Sequence, residues 1–410
     1  MKKSNYLVLI TFLAIVFTSC GSPHPNTDIT EQQSEEDNFP VGETFLIKDI
    51  YQGKGSSALS SLTVFKNKLY LIAWEDVLYS NLWIFDGKQE TIIAPWTTST
   101  DGKNLYCLSV WNDTLYYGAD QFVENKTQAS FWKYTGNGNP EPISDLKPTK
   151  NGIWYKNKLY LTQQNENSEY ELYKYQPETG LQLAADIGID TSSNPENFTI
   201  YMDKLYFTAF DATHGTELWM YDEENGAELV MDINPGSKSS DPKNLYVYNN
   251  ELFFTANSSY YNSFFKYNIT DKCVDMTDDN NTKIGASNNF QNFDDKLYFL
   301  SNPGMYNTCI WSYDNEGNLN KVLDFKDGVF LNGTAYEMTI YKNTIFFSGG
   351  DALGGSLELY KYNPDDGIKC LSDFNVTNGP RLEKLTVFND ILCFAAKSNR
   401  YGFELWGYRE

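Results

Sequence analysis

The sequence predicts an all-β chain, a single eight-bladed β-propeller with four antiparallel strands per blade. Three observations carry that prediction. The composition is rich in aromatics, an apolar phrase recurs eight times at nearly constant spacing, and the strand missing from the last repeat has a match near the start of the folded body.

The chain has 410 residues, with 32 Lys+Arg against 54 Asp+Glu, so the formal net charge is 32 − 54 = −22. Hydrophobic residues are 41% and aromatics 16%, enough apolar material to exclude wholesale disorder. A charge this negative repels phosphate backbones, so a nucleic-acid partner is not expected. Tyr 30, Phe 26 and Trp 9, beside 28 Gly and few long helix-forming runs, point to β structure.

The repeat begins with an apolar strand, a short Asn/Asp/Lys turn and an aromatic-rich strand. It reads LTVFKNKLYLIA at 62–73, LSVWNDTLYYGA at 108–119, GIWYKNKLYLTQ at 152–163 and FTIYMDKLYFTA at 198–209. It continues as LYVYNNELFFTA at 245–256, FQNFDDKLYFLS at 290–301, MTIYKNTIFFSG at 338–349 and LTVFNDILCFAA at 385–396. The anchors Leu69, Leu115, Leu159, Leu205, Leu252, Leu297, Ile345 and Leu392 are separated by 46, 44, 46, 47, 45, 48 and 47 residues. A third apolar segment follows in each copy, for example ELWMYD at 217–222, and in most copies a fourth, such as AELVMDI at 227–233. Segment lengths and the turn residues between them suit four strands, here A to D.

A four-stranded unit of this length fits a propeller blade. The eighth copy stops at Glu410 after strand C, while TFLIKDI at 44–50 matches the D-strand phrase ELVMDI. The N-terminal strand is therefore expected to complete the last blade and close a ring over 41–410. A right-handed β-helix is the competing architecture, but tight turns between the strands favour hairpins.

Ahead of the body, Lys2 and Lys3 precede an apolar stretch from Tyr6 to Phe17 that is too short to span a bilayer as a helix. Thr18-Ser19-Cys20-Gly21 resembles a bacterial lipoprotein lipobox, with Phe17 where Leu is more usual. The resemblance implies a signal peptide over 1–19 and lipidation of Cys20, which would become the first mature residue. Ordinary signal cleavage nearby, with Cys20 an incidental thiol, is the alternative. Residues 21–40 hold Pro23, Pro25, Gln32, Gln33, Glu35, Glu36 and Asp37 without apolar periodicity. They read, from Cys20 to 40, as a flexible tether holding the body off a membrane. The expected address is the bacterial cell envelope, lipid-anchored, most readily to the outer membrane.

At blade four, GTELWMYDEENGAELVMDINPGSKSSDP (215–242) follows LYFTAFDATH (205–214) and resembles the bacterial ELWxxDGT, or hyalin-like, repeat of exported proteins. Gly215 to Trp219 and Asp232 to Gly236 carry the match; Asp222 is followed by Glu223 and Glu224 rather than Gly-Thr. Other copies keep fragments, such as Glu404-Leu405-Trp406 and Glu358-Leu359-Tyr360. The resemblance implies an exported propeller and no defined activity.

Position in the repeat sorts packing from site. Trp83, Trp132, Trp219, Trp311 and Trp406 share one strand-C position, as packing residues do, and Trp111 and Trp154 fall on strand A. Trp74 and Trp96 lie off the repeat. B–C and D–A connections must emerge on one face and A–B and C–D turns on the other. The B–C connections vary in length, and variable loops on a rigid scaffold are where binding groups usually sit. The candidate ligand-binding set is therefore Trp74, Glu75, Asp76, Trp96, Tyr260, Tyr261, Tyr306, Arg400 and Tyr401, against the blander reading that each simply covers the rim.

Familiar chemistry is missing. His24 lies in the tether, which leaves His214 as the one histidine of the body, so imidazole-built metal centres and a Ser-His-Asp triad are disfavoured. Cys107, Cys273, Cys309, Cys370 and Cys393 form no disulfide or zinc pattern and read as buried filler. No catalytic residue, metal or cofactor is expected; calcium held by loop oxygens stays open, with no ligand spacing to argue for it. Asp76, Asp120, Asp211 and Asp351 supply carboxylates in B–C connections. The expected function is an envelope propeller that binds a glycan or a protein through its B–C and D–A loops. An envelope assembly scaffold and a polysaccharide hydrolase or lyase are the alternatives.

Overall fold

Strand pairing is set by the A–B hairpins. All eight turn through two residues of positive φ, from Lys66-Asn67 (46° and 57°) to Asn389-Asp390 (44° and 59°). Two-residue type I′ turns demand this, and their twist matches that of the strands they join. The second turn position alternates around the ring as Asn67, Asp113, Asn157, Asp203, Asn250, Asp295, Asn343 and Asp390. Asn and Asp are the non-glycine residues that tolerate left-handed backbone best.

A computed structural model describes residues 39–74, 80–88, 103–123, 126–144, 152–258, 261–270, 272–277, 283–302, 308–324, 333–351, 357–364, 366–372, 374 and 382–410. It is all-β, with eight antiparallel blades in a ring, an eight-bladed propeller. Seven sheets have four strands each; blade one shows Ser60–Phe65, Lys68–Trp74 and Ser80–Phe85, and its strand-D segment lies outside the described residues. Blade four is complete, as Glu196–Tyr201, Lys204–Asp211, Gly215–Asp222 and Gly226–Met231.

Blade eight consists of Leu382–Phe388, Ile391–Lys397, Phe403–Tyr408 and, as its fourth strand, Thr44–Lys48. The closing pairs are Thr44 with Tyr408, Phe45 with Gly407, Leu46 with Trp406 and Lys48 with Leu405, with a bulge between Leu46 and Lys48. A side chain at Gly407 would lie 2.7 Å from the Phe45 ring, so glycine is what lets that ring seat. The Gly42 N–H donates to the Arg409 carbonyl at 2.7 Å and extends the seam.

The core lies between blades. Phe45, Ile47 and Ile50 of the closing segment pack with Leu69, Trp83 and Phe85 of blade one and with Phe388, Cys393 and Leu405 of blade eight. Trp132, Trp219, Trp311 and Trp406 fall in the corresponding clusters at other blade contacts, and Trp111 stacks on Trp154 at 3.8 Å. In four blades a strand-A tyrosine ties the blade to the next. The Tyr155, Tyr201, Tyr248 and Tyr341 hydroxyls donate to the carbonyls of Asp203, Asn250, Asp295 and Asp390 at 2.6, 2.8, 2.5 and 2.8 Å.

The cysteines only partly follow the expectation of buried filler. Cys309 and Cys393 are buried and Cys273 is half-buried, but Cys370 is exposed, because it ends an outer strand D. Cys107 lies in strand A of blade two, and its side chain is outside the described residues.

Candidate functional site

The B–C and D–A connections do share one face, and backbone hydrogen bonds stitch them together. The N–H groups of Trp74, Phe210 and Asn257, at the ends of strands B, donate to the carbonyls of Ser57, Ser193 and Ser240 in the preceding D–A connections, at 2.6, 2.8 and 2.7 Å. All three serines are fully buried.

In four blades the group that organises the D–A connection is a glutamate at the head of strand C. The Glu217 carboxylate accepts the N–H of Ile233 at 3.0 Å, the N–H of Ser240 at 2.8 Å and the Ser240 hydroxyl at 2.5 Å. Glu171 does the same for Ile187 and Ser193. Glu358 accepts the Phe374 N–H at 2.9 Å and the Ser372 hydroxyl at 2.5 Å. Glu404 accepts the N–H of Ile50 at 2.7 Å, of Tyr51 at 3.3 Å and of Ser57 at 3.1 Å. These four carboxylates are buried, and their partners are otherwise orphaned backbone donors. Burial pushes the Glu217 carboxyl up from its ordinary value, against the hydrogen bonds from Ser240 and Ile233 that pull it down. Glu404 is pushed up to about 7 by burial, against the donors of the closing segment. The clasps were readable in outline as Glu-Leu-Trp and Glu-Leu-Tyr, but nothing in those words names a backbone N–H as the partner.

Of the predicted ligand set, Trp74, Arg400, Tyr401 and the backbone of Tyr261 are among the described residues. Trp74 is half-buried, with its backbone fixed by Ser57. Arg400 is exposed, and its guanidinium lies 5.2 Å from the centre of the half-buried Tyr401 ring, which meets Trp406 edge-on at 6.3 Å. The hairpin turn that carries them is pinned by the Tyr401 N–H to the Ser398 hydroxyl at 3.0 Å. Gly402 is packed so tightly on the loop after the closing strand that a Cβ there would lie 1.1 Å from the Gly55 carbonyl oxygen. Arg400 and Tyr401 thus stand beside the loop that Glu404 clasps. Tyr261 opens strand C of blade five, with its side chain outside the described residues. Glu75, Asp76, Trp96, Tyr260 and Tyr306 lie outside the described residues altogether, as does Cys20.

Of the loop carboxylates, Asp211 is defined. Its Oδ2 lies 2.8 Å from His214 Nδ1, and its Oδ1 accepts the N–H groups of Thr213 and His214 at 2.7 and 2.9 Å. The Asp211 hydrogen bond raises the His214 pKa. Burial acts to raise Asp211, but the hydrogen bonds from His214 and Thr213 outweigh it and hold the carboxyl low. Among the described residues no serine hydroxyl is bonded to the His214 ring, and no three His, Cys, Asp or Glu side chains gather as a metal would need.

No protein-family model matches the sequence, and no curated protein is similar to it. Solved structures do match the ring. Prolyl oligopeptidase B from Galerina marginata, bound to a 35mer hydrolysis and macrocyclization substrate, is 11% identical with a TM-score of 0.52, over 86% of this chain and 56% of its own. A prolyl endopeptidase structure gives 9% identity and a TM-score of 0.52, over 86% of this chain and 55% of its own. Oligopeptidase B from Trypanosoma brucei, with covalently bound antipain, gives 13% and 0.50, over 86% and 56%. The likeness is one of fold. This chain spans a little over half the length of these peptidases.

The neighbours correct the expected function. The sequence pointed to a ring that binds glycan or protein through its B–C and D–A loops, with scaffold and polysaccharide-cleaving alternatives; the three solved structures named above, which share the fold, are peptidases. The structure supplies a physical reason for the misreading. Much of the D–A backbone that looked free for recognition is bonded to buried glutamates and to the ends of strands B.

Proposed function

We propose that the chain is a peptidase-type propeller, a ring that handles peptide chains and leaves bond cleavage to a separate hydrolytic unit. The fold likeness to prolyl endopeptidases and oligopeptidases supports this reading. The separation of roles rests on His214, the one histidine of 41–410: Asp211 holds its Nδ1 as a triad carboxylate would, but among the described residues no serine hydroxyl is bonded to its ring. The lipobox-like Thr18-Ser19-Cys20 supports a lipid-anchored, exported chain, tethered through 21–40 in the envelope.

Fluorescence anisotropy with a labelled proline-containing peptide tests the first part. Saturable binding without turnover is expected; no peptide binding at all, or turnover by the isolated chain, would refute the reading. For the anchor, Cys20→Ser is expected to release the protein from the membrane fraction. An unmodified mature Cys20 by mass spectrometry would contradict it.

A further inference from the structure

The exposed apolar side chains of strand A recur at one position of the repeat. Strands A of neighbouring blades pack on one another, blade one on blade eight included, and the Trp111–Trp154 stack joins blades two and three. Strand A is therefore innermost and borders the axis of the propeller. The residue just before the strand-A aromatic is Val, Ile or Trp in seven blades and Asn292 in blade six. Four of these, Val64, Val110, Ile200 and Val387, are 44, 43, 40 and 39% exposed. We propose that this apolar collar at the A–B mouth of the axis, with the acidic turn beside Asn292, docks an extended peptide segment carrying both apolar and basic side chains. The proposal rests on the peptide-handling function and names the peptide chemistry that would suit it.

Strand propensity does not account for the collar. β-branched residues favour strands, but threonine meets that need and fills the preceding position as Thr63, Thr199, Thr339 and Thr386. Among the described residues, the exposed side chains at the other end of strand A are Glu196, Lys243, Asn244, Asn288 and Tyr336, and each carries a polar group. Apolar exposure on strand A is thus confined to the A–B end. Apolar surface gathered in one place marks a surface that a partner covers.

Charge around the mouth selects the sign of that partner. Lys66, Lys156 and Lys342 stand at the first turn position, and each is neutralised by the turn of the next blade, through Asp113, Asp203 and Asp390 at 2.8, 2.9 and 2.9 Å. Asp294 and Asp295 fill the same turn in blade six, where both are exposed and neither carboxylate has an ion pair among the described residues. Blade six therefore keeps two uncompensated carboxylates close to Asn292, on a chain of net charge −22. A basic side chain set against them, with apolar neighbours covering the collar, satisfies both features, whereas an acidic peptide is repelled.

Fluorescence anisotropy of the full protein with a labelled peptide of alternating Leu and Lys tests this, beside versions with Glu for Lys and with Ser for Leu. The Leu-Lys peptide is expected to bind at least about tenfold more tightly than either. Ile200→Ser and Val110→Ser, both at exposed positions, should each weaken it about fivefold. Asp294→Asn with Asp295→Asn should weaken it and reduce its salt dependence, and Leu183→Ser on an outer strand D should leave it unchanged. Equal binding of the Glu peptide, or binding indifferent to the collar substitutions, overturns the proposal. In that case a proline-containing peptide that still binds keeps the peptide-handling function, and a chain that binds no peptide loses both. Folding of the variants is bypassed in the native protein by a benzophenone group on the Leu-Lys peptide. Crosslinks on strands A and the A–B turns support docking there, and crosslinks confined to the outer strands refute it.

Discussion

Glu217→Ala removes an acceptor from three donors at once: the Ile233 N–H, the Ser240 N–H and the Ser240 hydroxyl. The site is fully buried, so water does not replace the lost bonds without opening the D–A connection. A buried donor left unpaired costs about 1–3 kcal/mol. The hydroxyl can rotate to another acceptor, whereas the two N–H groups cannot. Relief of the carboxylate's own burial returns part of the cost, so a net loss of about 3–4 kcal/mol is expected. Glu217→Gln keeps one oxygen and presents an NH2 to a donor, for a loss of about 2 kcal/mol. Urea unfolding of both variants measures this, with the exposed Glu228→Ala expected within about 0.5 kcal/mol of the native chain. A Glu217→Ala chain as stable as the native one would refute the clasp as a structural element.

Gly402→Ala drives a methyl into the Gly55 carbonyl and is expected to lower the melting temperature sharply while strands of blade four keep their exchange protection. Maleimide labelling of the native protein, read by mass spectrometry, should modify Cys370 and spare Cys309 and Cys393, since burial removes access and pushes the Cys393 thiol up. Breaking the half-exposed Lys66–Asp113 pair with Asp113→Asn should change stability by less than about 1 kcal/mol, whatever the 2.8 Å separation suggests. Raising the pH from about 4.5 through about 7 should lower stability as Glu404, raised by burial, ionises, and Glu404→Gln should reduce that loss.

The fold was legible because its determinants are local and repeated. Lys66-Asn67 and its seven counterparts specify type I′ turns by residue type, and the anchor leucines keep the phase of every strand B. Even the long-range closure could be read, because TFLIKDI repeats the wording of another strand D. The site was less legible. A glutamate clasp pairs a side chain with backbone donors, which have no letter in the sequence, and for Glu404 those donors lie hundreds of positions away. Of the off-repeat aromatics, Tyr401 turns in to meet Trp406 edge-on, a contact that the sequence gives no sign of. At 9–13% identity the likeness to these peptidases is one of fold, which the sequence carries only as strand and turn pattern. Cys370 escaped the burial expectation because an outer strand packs on fewer neighbours than an inner one.

The closed ring itself is tested most directly by a single crosslink. Glu43 and Arg409 continue the register that pairs Thr44 with Tyr408. With Cys370→Ser removing the exposed thiol, Glu43→Cys and Arg409→Cys together should form a disulfide under native conditions and none in urea, while Glu43→Cys with Asp222→Cys should form none in either. Failure of the Glu43–Arg409 pair to crosslink in the folded protein, or equal crosslinking of the distant pair, would contradict closure by the N-terminal strand.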